Sequence, residues 1–288
     1  MLEREKKITR DLLERILVKL GLTNLPTTDL PGLKLVYRAW SKGVPFDNSR
    51  KLIHRHLKSS DPLPGSDEID FFDCWLKWGT GGTCWAGNGA LQLLLKELGF
   101  NAVRGVATML VAPHLPPNHG TVVVRFADED YLVDASILHL EPILLKDKPL
   151  PPKTVPWVKE LKLEGDKWHI NWIPMHRQNL LDCRVDYFPA MEGEFLGYHE
   201  KTREWSPFNF ELNSRRAFDD KMIGMCFGQH SEVDQQGLRQ RPVTKKERDD
   251  ILVEIVGLHP EFVAMIPDDI PTPPPPGSKT AAASLQDK

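Results

Sequence analysis

Along the first hundred residues the apolar positions recur every three or four residues, and after Ala102 they fall in short runs separated by turn residues. The first pattern marks amphipathic helices and the second marks strands. Leu12, Leu13, Ile16, Leu17 and Leu20 predict a helix from about Thr9, closed by Gly21. A second stripe over residues 33–40 stops in the loop 42–48, where Phe46 could line a pocket or plug the local core. The proline-bearing stretch 58–67 reads as a surface loop, and residues 69–78 as a third helix. Leu91, Leu94, Leu95 and Leu98 then share one face of a fourth helix, which Gly99 ends.

Beyond this point the spacing predicts antiparallel strands over 103–111, 121–126 and 131–135, with 127–130 as a turn and Pro113, Pro116 and Pro117 as breakers. A further β-rich stretch containing Trp168, Ile170 and Trp172 follows the proline-heavy connection 142–156. From Glu192 the pattern is mixed, with 210–218 helical or extended and 222–227 a strand. Thr244 and Glu247 have the spacing of a capping box, opening a helix that carries Ile251, Leu252, Ile255 and Val256 and ends near Leu258. After Pro267 come four successive prolines, 273–276, and then small and polar residues, so residues 267–288 are expected to be disordered.

Composition narrows the function classes. The 288 residues include 37 basic and 40 acidic side chains, a net charge of −3, which gives no field to draw nucleic acid or an acidic membrane. Cys74, Cys84, Cys183 and Cys226 are too few and too scattered for a disulfide framework, and no pair has zinc-knuckle spacing, so no metal site is expected. With no signal-like start and no apolar run of membrane length, a soluble cytoplasmic protein is the expectation.

The candidate chemistry centres on Gly81, Gly82, Thr83 and Cys84, at the start of the fourth helix. Unpaired amides and the positive end of the helix dipole favour an anion there, which suits a thiolate nucleophile. A cysteine nucleophile needs a base and an orienting group, and His119 and Asp134 follow on the strands, with His114 and His139 as competing bases. A turn centred on Asp128 and Glu129 would set Asp134 opposite Val123, about 13 Å along the strand from His119. Contact then requires a twist, a bulge or a different turn.

These residues resemble the arylamine N-acetyltransferase family. Its glycine-glycine-x-cysteine motif with asparagine four residues later is matched by Gly81, Gly82, Cys84 and Asn88; its proline-phenylalanine-acid-asparagine loop by Pro45, Phe46, Asp47 and Asn48; and its histidine and leucine-valine-aspartate by His119 and by Leu132, Val133 and Asp134. The resemblance implies an α+β fold with a cysteine-protease-like core: a helical bundle over 1–100, an antiparallel β-barrel over 101–190 and an α/β lid over 191–266. It implies ping-pong transfer of an acetyl group from acetyl-CoA or another acyl-CoA, through Cys84, to a small-molecule amine. His119 would be base and acid and Asp134 the orienting group, with Phe46, Trp85, Asn88, Ser136 and Ile137 as substrate-binding residues. No tightly bound cofactor is implied, and oligomeric state is open.

The chain departs from the family pattern at Thr80 (usually arginine), Ala86 (usually glutamate), Trp85 (usually phenylalanine or similar), and Ala135 to Leu138, which replace a glycine-phenylalanine-glycine element. Those departures keep three alternatives open: an amide synthase that uses a longer acyl thioester, a non-catalytic ligand-binding homologue, and a cysteine peptidase.

Overall fold

The computed structural model describes residues 6–111, 115–147, 150 and 157–276. The N-terminal part follows the helical pattern. Helix α1 (Arg10–Lys19) is capped by Thr9, whose hydroxyl accepts from the Leu12 amide, and α2 (Leu30–Gly43) by Asp29, which accepts from the Gly32 amide at 2.9 Å. A two-residue strand β1 (Phe46–Asp47) and a short helix α3 (Ser49–His56) follow. The sequence reading assigns no element where α3 stands, because Leu52 and Ile53 alone make no periodic stripe. Helix α4 (Glu68–Trp78) ends at Gly79, which adopts φ +74°.

Helix α5 (Cys84–Glu97) differs from its sequence pattern in an informative way. Every residue from Cys84 to Leu95 is buried, where a one-sided stripe was expected. A helix enclosed on all sides sits at the centre of a fold rather than on its surface. It packs against α4, against helix α6 (Glu192–Lys201) and against strands β2 (Ala102–Met109) and β3 (His119–Phe126).

Those strands belong to a seven-stranded sheet that also contains β4 (Glu129–Val133), β5 (Ile143–Leu144), β6 (Val158–Glu164), β7 (Lys167–Trp172) and β8 (Leu181–Tyr187), in the order β5-β4-β3-β2-β8-β7-β6. Every pairing is antiparallel, as the alternating runs predict. The expected antiparallel β-barrel is present as a curled half-barrel: among the described residues, edge strands β5 and β6 share no ladder, so the sheet is open. Both faces are nonetheless covered. Val122 and Val124 point into the core built with α1, α2, α4 and α5, and Val123 into a second core on the opposite face.

A second sheet has the order β1-β9-β10-β11-β12, where β9 is Asn213–Ala217, β10 Met222–Cys226, β11 Gln229–Asp234 and β12 Gly237–Pro242. The segment read as helical or extended thus supplies an extended strand. Edge strand β1 comes from the first hundred residues, and the second core joins Phe46, Val123 and Met222. The expected boundaries at 100 and 190 are therefore crossed by shared cores. Thr244 and Glu247 form the predicted capping box of α7 (Lys245–Asp250), which continues as a π-helical segment Ile251–Val256 to Gly257, and α8 (Pro260–Val263) follows.

Residues 267–276, expected to be disordered, instead hydrogen-bond to the body: the Ile270 amide donates to the Phe210 carbonyl, and the Trp205 indole to the Pro273 carbonyl. Proline removes donors but keeps its carbonyl, so the segment can still be held. Residues 277–288 lie outside the described residues. No described helix is long and apolar enough to cross a membrane.

Candidate active site

Cys84 is the first residue of α5, and its N-cap, Thr83, makes no side-chain capping bond. The first-turn amides are thus left without the usual side-chain acceptor. The two glycines before it are required by close approach, since neither has a positive φ. A Cβ on Gly81 would lie 1.7 Å from the Pro45 carbonyl oxygen, and one on Gly82 would lie 2.8 Å from the Ala86 Cβ and 2.9 Å from Phe71. Ala86 is small for the same reason. Thr80, where the family usually has arginine, is fully buried with its hydroxyl unpartnered, and Asp47 is held by the Ser49 hydroxyl at 2.6 Å.

The register of β3 and β4 resolves the distance between histidine and aspartate. Phe126 pairs with Glu129 and Val122 with Val133, so the turn falls at Ala127 and Asp128, with Ala127 at φ +44°. That is one residue earlier than the sequence reading placed it. Continued, the register sets Asp134 against Thr121, two residues nearer to His119, because moving a hairpin turn by one residue shifts the pairing by two. His119 Nε2 and Asp134 Oδ2 are 2.8 Å apart and both side chains are buried. Nδ1 is left as the ring nitrogen turned away from the carboxylate. The Cys84 sulfur is near enough to the ring to bear on its charge, and its hydrogen bond goes to the Asn118 carbonyl at 3.9 Å. His114 lies outside the described residues. His139 is buried against Trp157, and burial pushes it down to about 3, so it is neutral.

Two side chains hold this arrangement without joining it. Asn88, one helical turn after Cys84, donates to the Gly120 carbonyl at 2.6 Å and accepts from the Ala135 amide at 2.9 Å. It therefore pins the backbone next to His119 and next to Asp134 onto the helix that carries the cysteine. The Tyr37 hydroxyl donates to the Asp134 carbonyl and accepts from the Asp134 amide, both at 3.0 Å. The Asp134 Oδ1 accepts from the amides of Ser136 at 2.7 Å and Ile137 at 3.0 Å. No spacing rule could have singled out Tyr37, which stands 97 residues from its partner.

Charge follows from these contacts. Burial works against a charged imidazole, but the Asp134 carboxylate, their hydrogen bond and the neighbouring Cys84 hold His119 up to about 10. Burial likewise opposes the Asp134 carboxylate, and it is outweighed by His119 and by the amides of Ile137 and Ser136, which hold the acid below its ordinary value.

The expected substrate-binding residues divide. Trp85 is buried between Phe195 and Tyr198 of α6, stacked on the latter, and Gly120 is glycine because a Cβ there would lie 2.6 Å from Phe195 and 2.7 Å from Trp85. Asn88 is fully buried and fully used, and Ile137 is core. In the free protein all three are buried in contacts with other protein groups. Phe46 and Ser136 instead meet Arg215, a buried residue that the motif search missed. Its guanidinium lies 3.9 Å over the Phe46 ring, and its Nη2 donates to the Ser136 carbonyl at 2.9 Å. Cross-strand pairing of Phe46 with Arg215 puts the two side chains together. Lys51 was missed as well: it is buried, donates to the Thr202 hydroxyl at 2.7 Å, and is brought down to about 7 by burial against the opposing pull of Cys84.

Sequence and structure comparisons point to one family. A family described as N-acetyltransferase matches residues 29–261. The arylamine N-acetyltransferase of Escherichia coli (strain K12) is 24% identical over 200 residues, 65% of this chain and 68% of that protein. Among solved structures, the arylamine N-acetyltransferase of Mycobacterium smegmatis superposes with a TM-score of 0.73 at 20% identity, over 95% of this chain and 97% of that one. The Mycobacterium marinum arylamine N-acetyltransferase in complex with CoA gives 0.73 at 16% identity, over 88% and 98%. The matched stretch contains Cys84, His119 and Asp134, and the chain belongs to the N-acetyltransferase family.

Proposed function

We propose that the chain transfers an acetyl group from acetyl-CoA to the nitrogen of an aromatic amine by way of an acetyl-Cys84 intermediate. The observation that carries this reading is the 2.8 Å contact between His119 and Asp134 beside a cysteine at an uncapped helix start. Because His119 is held up to about 10, it carries a proton at neutral pH and can donate it beside the Cys84 sulfur.

In the first half-reaction the sulfur attacks the thioester carbonyl, the bond from that carbon to the CoA sulfur breaks, and the His119 proton goes to the departing thiolate. The Cys84 amide and its first-turn neighbours are the donors available to the oxyanion. In the second half-reaction the amine attacks the acetyl carbon, His119 takes the amine proton, and the Cys84 sulfur leaves. Asp134 keeps the imidazole oriented through both steps. The second sheet and α6 serve as the lid over this centre, with Phe46 and Ser136 on the substrate side.

Intact-protein mass spectrometry after mixing with acetyl-CoA tests the reading. One acetyl group should be gained, be absent in Cys84→Ala, and be discharged by an arylamine. Acylation by longer thioesters alone would move the assignment to an amide synthase, and no acylation by any donor would overturn it in favour of a binding protein.

A further inference from the structure

Arg215 stands apart from the other buried charges near the site. It is only 6% exposed, yet among the described residues it has no carboxylate partner. Among the described residues its side chain makes one hydrogen bond, from Nη2 to the Ser136 carbonyl, and Nε is buried with no partner. An unpaired buried cation is destabilising, and removing such a charge from water is ordinarily offset by a bidentate carboxylate. The nearest acid cannot serve, because both Asp134 oxygens are occupied by His119, Ser136 and Ile137.

The surroundings say what is missing. Arg215 bonds to Ser136, whose own amide bonds to Asp134, so the guanidinium is one residue contact from the triad and within electrostatic reach of the Cys84 sulfur. The Phe46 ring lies beneath it. Half-buried Phe208 packs edge-on to Phe46 at 5.2 Å and stacks on half-buried Phe227 at 6.0 Å, continuing the aromatic wall outward to exposed His176. An aromatic wall that ends on a guanidinium with an unpartnered Nε and no carboxylate partner among the described residues matches a planar ring bearing an anion.

We infer that Arg215 selects the acceptor by binding a carboxylate on the aromatic ring of the amine, an inference that rests on the acetyl-transfer reading above. The experiment compares the three aminobenzoate isomers with their methyl esters, using acetyl-CoA and the full chain as wild type, Arg215→Gln and Arg215→Lys. At least one acid should be preferred over its ester by about tenfold or more in kcat/KM. Arg215→Gln should bring that ratio close to one, mainly through KM for the acid, and Arg215→Lys should recover part of it.

A wild-type enzyme that treats acid and ester alike overturns the inference, and this comparison needs no variant to fold. Equal losses for acid and ester in Arg215→Gln, with a moved pH profile for alkylation of Cys84, overturn it in favour of electrostatic support for the triad. Acetylation of Cys84 measured without any acceptor keeps the two readings separate. Failure there counts against acetyl transfer itself, whereas normal acetylation with no acid preference counts against Arg215 alone.

Discussion

Two corners of the same centre lie two residues apart and are built in opposite ways. Around Asp134 both carboxylate oxygens, the backbone amide and the carbonyl are hydrogen-bonded, and Asn88 and Tyr37 use both ends of their polar groups. Around Ser136 and Arg215 the serine hydroxyl and the guanidinium Nε are buried without partners. A fully satisfied network holds one geometry, which is what a base and its orienting acid require. Open donors in a neighbouring corner are unfavourable in the free protein and gain most from a ligand that fills them. The contrast separates the part of the site that performs chemistry from the part that chooses what is acted on.

The most severe way to break the locked corner is to remove its chemistry. Cys84→Ala should abolish acetylation, and His119→Gln or Asp134→Asn should lower kcat/KM on the order of 10³- to 10⁴-fold, read by pre-steady-state acetylation. Asn88→Ala should come next. It leaves the Gly120 carbonyl and the Ala135 amide buried and unpaired, which should destabilise the fold by about 2–4 kcal/mol in urea unfolding. It should also slow acetylation by more than the unfolded fraction explains. Tyr37→Phe removes one hydroxyl and keeps the ring, so a loss of about 1–2 kcal/mol is expected with a smaller effect on rate.

The mildest probe is pH. His119 is raised from 6.5 to about 10, so its contribution to stability is fully present below pH 6.5 and is lost as pH rises through about 10. Asp134 is lowered from 3.8, so its contribution is present above that value and is lost as pH falls through its folded pKa. The stability gap between wild type and His119→Gln, followed by urea midpoints, should narrow from pH 6.5 to 10. A gap that stays constant would show that the pair is not ionic.

Much of the locked corner is legible along the chain. Cys84, His119 and Asp134 stand at a helix start, a strand start and a strand end, positions that periodicity and turn residues mark locally. Their contact was not legible, because one residue of turn placement at Ala127 changes the partner of Asp134 from Val123 to Thr121. Asn88 could be named from its motif, but its role could not, since both its partners lie on other elements. The open corner left almost no trace, because Arg215 lies in a stretch that reads as helical or extended and meets Phe46 only through a pairing across 169 positions of sequence.

The sequence by itself determined the helices at 10–19, 30–43, 68–78 and 84–97 and the strands β2 to β4 to within a few residues, where the capping box and the α5 stop fall, and which cysteine begins a helix. Each depends on neighbours within a few residues, through periodicity, capping and turn chemistry. Only the tertiary structure decided that the sheet stays open, that α5 is enclosed on every side, that Trp85 and Asn88 are packed and hydrogen-bonded against other elements, and that a guanidinium with no carboxylate partner among the described residues lies beside His119 and Asp134. Those outcomes depend on which surfaces compete to be buried together, and long-range pairing and packing settle that competition.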